Sequence, residues 1–138
     1  MKVGDSISAK THAQFLNQLL GTNYKAWMKS SIVLSSGERV WMIELGDFIS
    51  PSGWINKLTS ANRLSEKHTD MNFQYEHDTY KNALKTGAYW DSSDRIVFDI
   101  VKGRFGRKYI FRGVFRINRT ESTLSENVWD RIADKYNF

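Results

Sequence analysis

Residues 107–118, RKYIFRGVFRIN, alternate with a period of two. Tyr109, Phe111, Gly113, Phe115 and Ile117 form one set, and Lys108, Ile110, Arg112, Val114 and Arg116 the other. Such alternation predicts a strand with one apolar face and one mixed, basic face. A glycine at its middle predicts a bulge or a bend at Gly113. Residues 94–101, DRIVFDIV, predict a second strand, and KGRFG at 102–106 a turn, so the two strands read as an antiparallel hairpin. A further hairpin is predicted from 30–34 and 39–45 around the turn SSGE, with Trp41, Ile43 and Leu45 as its core face.

Period 3.6 replaces period two near both ends. Phe15, Leu16, Leu19 and Leu20 share one side of a helix predicted over 11–20. Thr11 suits its N-cap, Gln14 a capping-box partner and Gly21 the residue after its end. A second helix is predicted over 125–134, capped by Ser125 and packed through Val128, Trp129 and Ile132, with Tyr136 and Phe138 tucking in the tail. Residues 2–8 hold a short strand or a lead-in. Residues 22–29 leave a helical turn under Ala26 and Trp27 open. GDFISPSG at 46–53 is loop, anchored by Ile49 and Trp54. Residues 54–64 show Trp54, Leu58 and Ala61 at helical spacing, but Thr59, Ser60 and Asn62 weaken a helix there. Within 65–94 the pattern predicts one short helix, 78–85, inside a long polar segment. Helices flank the strands rather than alternate with them. The expected class is therefore α+β: a strongly bent antiparallel sheet or a small β-barrel with short flanking helices, in one domain over 1–138.

The chain has 138 residues, of which 41% are hydrophobic and 14% aromatic, which argues for a packed core and against disorder. It has no cysteine, which excludes a disulfide framework, thiolate metal ligands and a cysteine nucleophile. No apolar run approaches the roughly 20 residues of a membrane span. The first residues lack the apolar stretch of a signal peptide, so a cytoplasmic location is expected.

Charge changes the picture most. The formal net charge is +5, and residues 102–119 alone carry seven Lys or Arg and no acid. Lys102, Arg104, Arg107, Lys108, Arg112, Arg116 and Arg119 are thus concentrated on one predicted hairpin, with Phe105 at its tip. That is a nucleic-acid footprint or a solvated strand face. Lys108, Arg112 and Arg116 share a face at about 13–14 Å spacing, roughly twice the separation of successive phosphates along one DNA strand, so the row could track a backbone. Phe105 could stack on a base or wedge into a groove; packing on its own hairpin is the plain alternative. Tyr75, Tyr80, Tyr89 and Trp90 sit in polar sequence. With Asp91 and Asp94 beside them, Tyr89 and Trp90 make a candidate base pocket, because reading an unstacked base takes a ring and a group to address its edge.

Evidence for catalysis is thinner. His68 and His77 lie near Glu66, Asp70, Glu76 and Asp78, but no metal-binding spacing appears, and no metal or cofactor is expected. Asp91, Asp94, Asp99 and Lys102 are loose candidates for a nuclease. Asp94 and Asp99, at odd separation, fall on opposite faces of a strand. Walker, dinucleotide and serine-hydrolase motifs are missing.

Three segments carry a resemblance. RIVFDIV at 95–101, GRKYIFRGVFRI at 106–117 and VWDRI at 128–132 resemble a pattern in PUA-like modules, the superfamily that includes SRA and EVE domains. The resemblance spans about 45 residues, a third of the chain. It implies a bent β-barrel with flanking helices, RNA or DNA as partner, and in several members recognition of modified or flipped bases beside defence nucleases. It also implies that Arg112 and Arg116 lie on the barrel wall and that the loops before Arg95 border a base pocket.

The expected function is a non-catalytic nucleic-acid-binding module. A protein-interaction module or small inhibitor meeting an acidic partner would use the same basic hairpin, and a second chain packed on 107–118 would make a homodimer. A metal-dependent nuclease is the remaining alternative.

Overall fold

In the computed structural model, residues 1–70, 93–123 and 125–138 are described. The elements in chain order are β1 (Ser6–Ala9), α1 (His12–Leu20), β2 (Ser31–Val33), β3 (Arg39–Ile43), β4 (Trp54–Ser60), β5 (Arg63–His68), β6 (Arg95–Gly103), β7 (Gly106–Asn118) and β8 (Glu126–Ala133). They form two compact units. One comprises Met1–Glu44, Arg95–Val114 and Ile132–Phe138; the other comprises Leu45–Asp94 and Phe115–Arg131. Strands β7 and β8 contribute to both.

In the first unit the strand order is β2-β3-β6-β7, with β1 also antiparallel to β7. The expected hairpin of 30–34 and 39–45 is present as β2–β3. Strand β3 then pairs in parallel with β6, Val40 opposite Ile96 and Met42 opposite Phe98. The sheet is therefore mixed, not purely antiparallel: the long connection between β3 and β6 lets the chain return in the same direction. Val40, Trp41, Met42 and Ile43 are all buried, so β3 packs on both faces, and the expected choice of one core face does not apply. Helix α1 covers the core. Thr11 Oγ1 accepts the Gln14 backbone N–H at 3.1 Å, and Gly21 closes the helix in the left-handed conformation at φ 67°. Gln14 Oε1 reaches back to the Lys10 N–H, at 2.9 Å. Phe15 lies at the centre, stacked on Tyr109 at 4.1 Å and edge-on to Phe98 at 4.8 Å.

In the second unit β4 and β5 form an antiparallel hairpin with an irregularity between Leu58 and Ser60. The helical spacing of Trp54, Leu58 and Ala61 is thus not expressed as helix. Strand β5 pairs antiparallel with β8, Leu64 opposite Trp129. This overturns the expected C-terminal helix. Ser125 lies just before a strand. Asn127, Val128 and Trp129 are consecutive and all buried, a pattern that a strand covered on both faces satisfies as well as a helix does. Local propensity yields here to pairing with β5 and β7.

Among the described residues α1 is the one α-helix, and the strand order ends at β2 and β4 instead of closing as a barrel. The expected bend within β7 has a counterpart in Gly113, which takes φ 117°, a conformation other residues rarely adopt. The helix expected over 78–85 lies outside the described residues.

Candidate nucleic-acid interface

The basic run divides by partner. Lys102 Nζ is 2.7 Å from Glu44, Arg112 donates to the largely buried Asp99 at 3.2 Å, and Arg116 makes two hydrogen bonds to Asp94, both 2.9 Å. Of the expected row Lys108, Arg112 and Arg116, two cations are therefore offset by carboxylates. Asp94 and Asp99 are held by different arginines. Arg119 is exposed in the turn after β7.

Two of the remaining hairpin cations, Arg107 and Lys108, border a cleft in the first unit. Strand β1 lies along β7 with Ser8 opposite Lys108 and Ala9 opposite Arg107, so Lys10, the next residue, sits over the start of β7. A Cβ on Gly106, at φ 144°, would be 3.7 Å from Lys10 Cγ and 3.5 Å from the Ala9 carbonyl. Those are ordinary contact distances, and it is the backbone conformation that calls for glycine. The cleft, about 650 Å³, is lined by Lys10, Gln14, Gln18, Phe105, Arg107 and Lys108 among others, with no acidic residue in its wall. Phe105 is 86% exposed with the Arg104 guanidinium 5.4 Å from its ring, so it does not pack down on its hairpin. The cations were legible in the sequence. Lys10, Gln14 and Gln18 were not, because they arrive through the β1–β7 pairing.

Behind the cleft, His12 Nδ1 is 2.7 Å from the Tyr109 hydroxyl. Burial lowers the His12 pKa, and the positive charges of Arg107 and Lys102 lower it further. Burial raises that of Tyr109, with the neighbouring Arg107 opposing. Neutral His12 can then accept the phenol proton at Nδ1. In the unfolded chain the imidazole itself takes up a proton from solvent near 6.5, more readily than in the folded protein. The His12 contribution to stability is complete above that pH and is lost as pH falls through the lower folded value. Denaturant titrations at pH 7.5 and 5.5 are expected to show lower stability at the acid pH, with a smaller difference in His12→Gln.

The second unit holds another arrangement, in residues 46–53. This loop is pinned at several points. Gly46 N–H donates to Asn56 O at 2.9 Å, Ser50 N–H to Trp54 O at 2.8 Å, and Thr69 N–H to Gly53 O at 2.9 Å. His68, buried under the loop, accepts the Asp70 N–H at Nδ1 (2.9 Å), so its proton is on Nε2, which donates to Ser52 O at 2.7 Å. Gly53 makes room: at φ 89°, a Cβ there would meet Thr69 Oγ1 at 2.9 Å and the His68 ring at 3.0 Å. Trp54 meets the His68 ring edge-on, 4.7 Å between centroids, and anchors the loop as expected. Ile49 does not; it is 63% exposed, and Phe48 beside it 60%. Asp47 pairs with Lys57 at 2.8 Å, both side chains largely in solvent. A fixed loop thus presents an aromatic ring next to a carboxylate. The sequence signal was available: two large apolar residues following an aspartate between Gly46 and Pro51.

Of the expected base pocket, Tyr89, Trp90 and Asp91 lie outside the described residues, as do Tyr75, Tyr80, Glu76, His77 and Asp78. Asp94 is within them and is held by Arg116. His68 serves the loop, and among the described residues no three His, Asp or Glu side chains gather as metal ligands would. Strand β7 is paired within the chain with β1, β6 and β8. No helix among the described residues is long and apolar enough to cross a membrane.

The chain belongs to the SET and RING associated (SRA) domain family, whose model matches residues 1–138. The SRA domain is a PUA-like DNA base-reading module, and the chain is accordingly a nucleic-acid-binding domain. Among solved structures the chain is similar to the 5-hydroxymethylcytosine-specific restriction enzyme AbaSI, with a TM-score of 0.67 and 20% identity over 97% of this chain and 41% of that one. The chain therefore spans less than half the length of that enzyme. No curated protein matches it in sequence.

Proposed function

We propose that this chain is a non-catalytic module that reads a cytosine in DNA through the loop at 46–53. The observation that carries the reading is the pinned loop with Phe48 exposed beside Asp47. An exposed ring gives an unstacked base a surface, a contribution of about 1–3 kcal/mol. Asp47 is an acceptor for the exocyclic amine of cytosine, the base edge that carboxylates address. Family membership supports DNA as the partner, and the name of the similar restriction enzyme supports a 5-modified cytosine as the form preferred. Catalysis would then be supplied by another polypeptide or another part of a longer one.

The test is a set of otherwise identical duplexes carrying cytosine, 5-methylcytosine or 5-hydroxymethylcytosine at one position, titrated at about 50 mM salt, where phosphate contacts are least screened. Tighter binding to one modified duplex is expected. Equal affinity for all three, and for a duplex with thymine at that position, would overturn base reading.

A further inference from the structure

We infer that the cleft between α1 and the β6–β7 hairpin is a second DNA contact, one that grips the phosphate backbone and does not read bases. The inference rests on the reading of this chain as a DNA-binding module, but it uses a surface separate from the loop at 46–53.

Charge identifies the occupant. Lys10, Arg107 and Lys108 enter one cleft from two segments of chain, and its wall contains no carboxylate. Of the other hairpin cations, Lys102 is drawn to Glu44, Arg112 to Asp99 and Arg116 to Asp94, while Arg104 lies beside the exposed Phe105 ring. The pairing therefore leaves positive charge concentrated at the cleft and removes it elsewhere on the strand. An anionic ligand fits such a wall, and a cationic one does not.

Two glutamines add polar groups to the cations of this wall. Gln18 Nε2 donates to the Ser8 carbonyl at 3.1 Å and Gln14 Oε1 accepts from Lys10 N–H at 2.9 Å, so both amides are held on the wall. The Gln14 NH2 remains to donate to a phosphate oxygen. Phe105 adds an apolar surface at the rim, 86% exposed, against which a sugar or a base face can lie. A volume of about 650 Å³ lies within the range of small-ligand sites, roughly 300–1,000 Å³, and is ample for a phosphate and its sugar. An acidic protein segment is the competing occupant. It is less favoured because the chain belongs to a DNA-binding family.

The experiment measures duplex binding by the full chain from about 50 to 200 mM salt, for wild type, for Lys10→Gln/Lys108→Gln and for Arg107→Gln, on both the unmodified and the best modified duplex. Lys10 and Lys108 are exposed, so the double variant is expected to fold, and its melting curve checks this. The slope of log K against log salt should fall by about 0.9 for each phosphate that is no longer neutralised, roughly two units for the double variant. Affinity should drop by a similar factor on both duplexes. If the slope stays at the wild-type value while base preference persists, the cleft proposal fails and the base-reading proposal stands; the charge then serves an acidic protein. A reduced slope with no preference among bases supports the cleft and defeats the reading loop. If the wild-type chain binds no duplex, both fail.

Discussion

Replacing Phe48 by alanine is expected to remove most of the preference for the recognised base while leaving the fold intact. The ring is 60% exposed, so its loss opens no cavity in the core. Stacking on an aromatic ring contributes about 1–3 kcal/mol to each base, so affinity for the preferred duplex should fall roughly 5- to 150-fold. Binding to the unmodified duplex should change far less, because it depends on phosphate contacts made elsewhere. Phe48→Trp should retain the preference, since it keeps a ring at the same place. The loop itself is held by Gly53 and His68, neither of which is altered. The check is the same titration of modified and unmodified duplexes. An unchanged ratio in Phe48→Ala would show that the base is read somewhere else.

Phe15→Ala should have the largest effect on stability. Its side chain has no exposed surface, is nearly parallel to Tyr109 at 4.1 Å and meets Phe98 at 4.8 Å. It is the residue through which α1 joins the sheet of the first unit. A buried phenylalanine replaced by alanine costs about 3–5 kcal/mol, from the transfer energy forgone together with the cavity left behind. Urea unfolding measures this, with Phe105→Ala as the comparison. Phe105 is almost wholly in solvent, so its removal should change stability by no more than about 0.5 kcal/mol. Equal effects of the two substitutions would be incompatible with this packing of the helix.

The contrast between those two phenylalanines is also the contrast between what sequence and tertiary structure decide. Period two in 107–118 has one physical solution, a strand with Tyr109, Phe111 and Phe115 inward, and those three are buried. The stripe of Phe15, Leu16 and Leu19 between Thr11 and Gly21 has one as well, a capped helix packed on one side. Both patterns are local, since each depends on neighbours within a few residues. The pattern at 126–133 is not. Apolar residues in adjacent positions fit a helix side or a strand covered on both faces, and only the presence of β5, with Arg63 to Lys67 paired along it, decides between them. The parallel pairing of β3 with β6 likewise joins residues far apart in the chain. The candidate sites divide in the same way. The excess of arginine and lysine in 102–119 was visible in the sequence, but which of these cations are offset depended on where Glu44, Asp94 and Asp99 fell. Lys10 joined Arg107 because β1 pairs with β7. Phe48 and Asp47 stood out only once the hydrogen bonds beneath them showed a loop held still with its apolar side turned outward. Composition and periodicity determined that the fold is built on a sheet with one capped helix and that positive charge gathers on one hairpin. The surfaces that could meet a partner were decided by pairings between distant residues, because charge cancels, and an apolar side chain stays exposed, only according to what lies across from it in space.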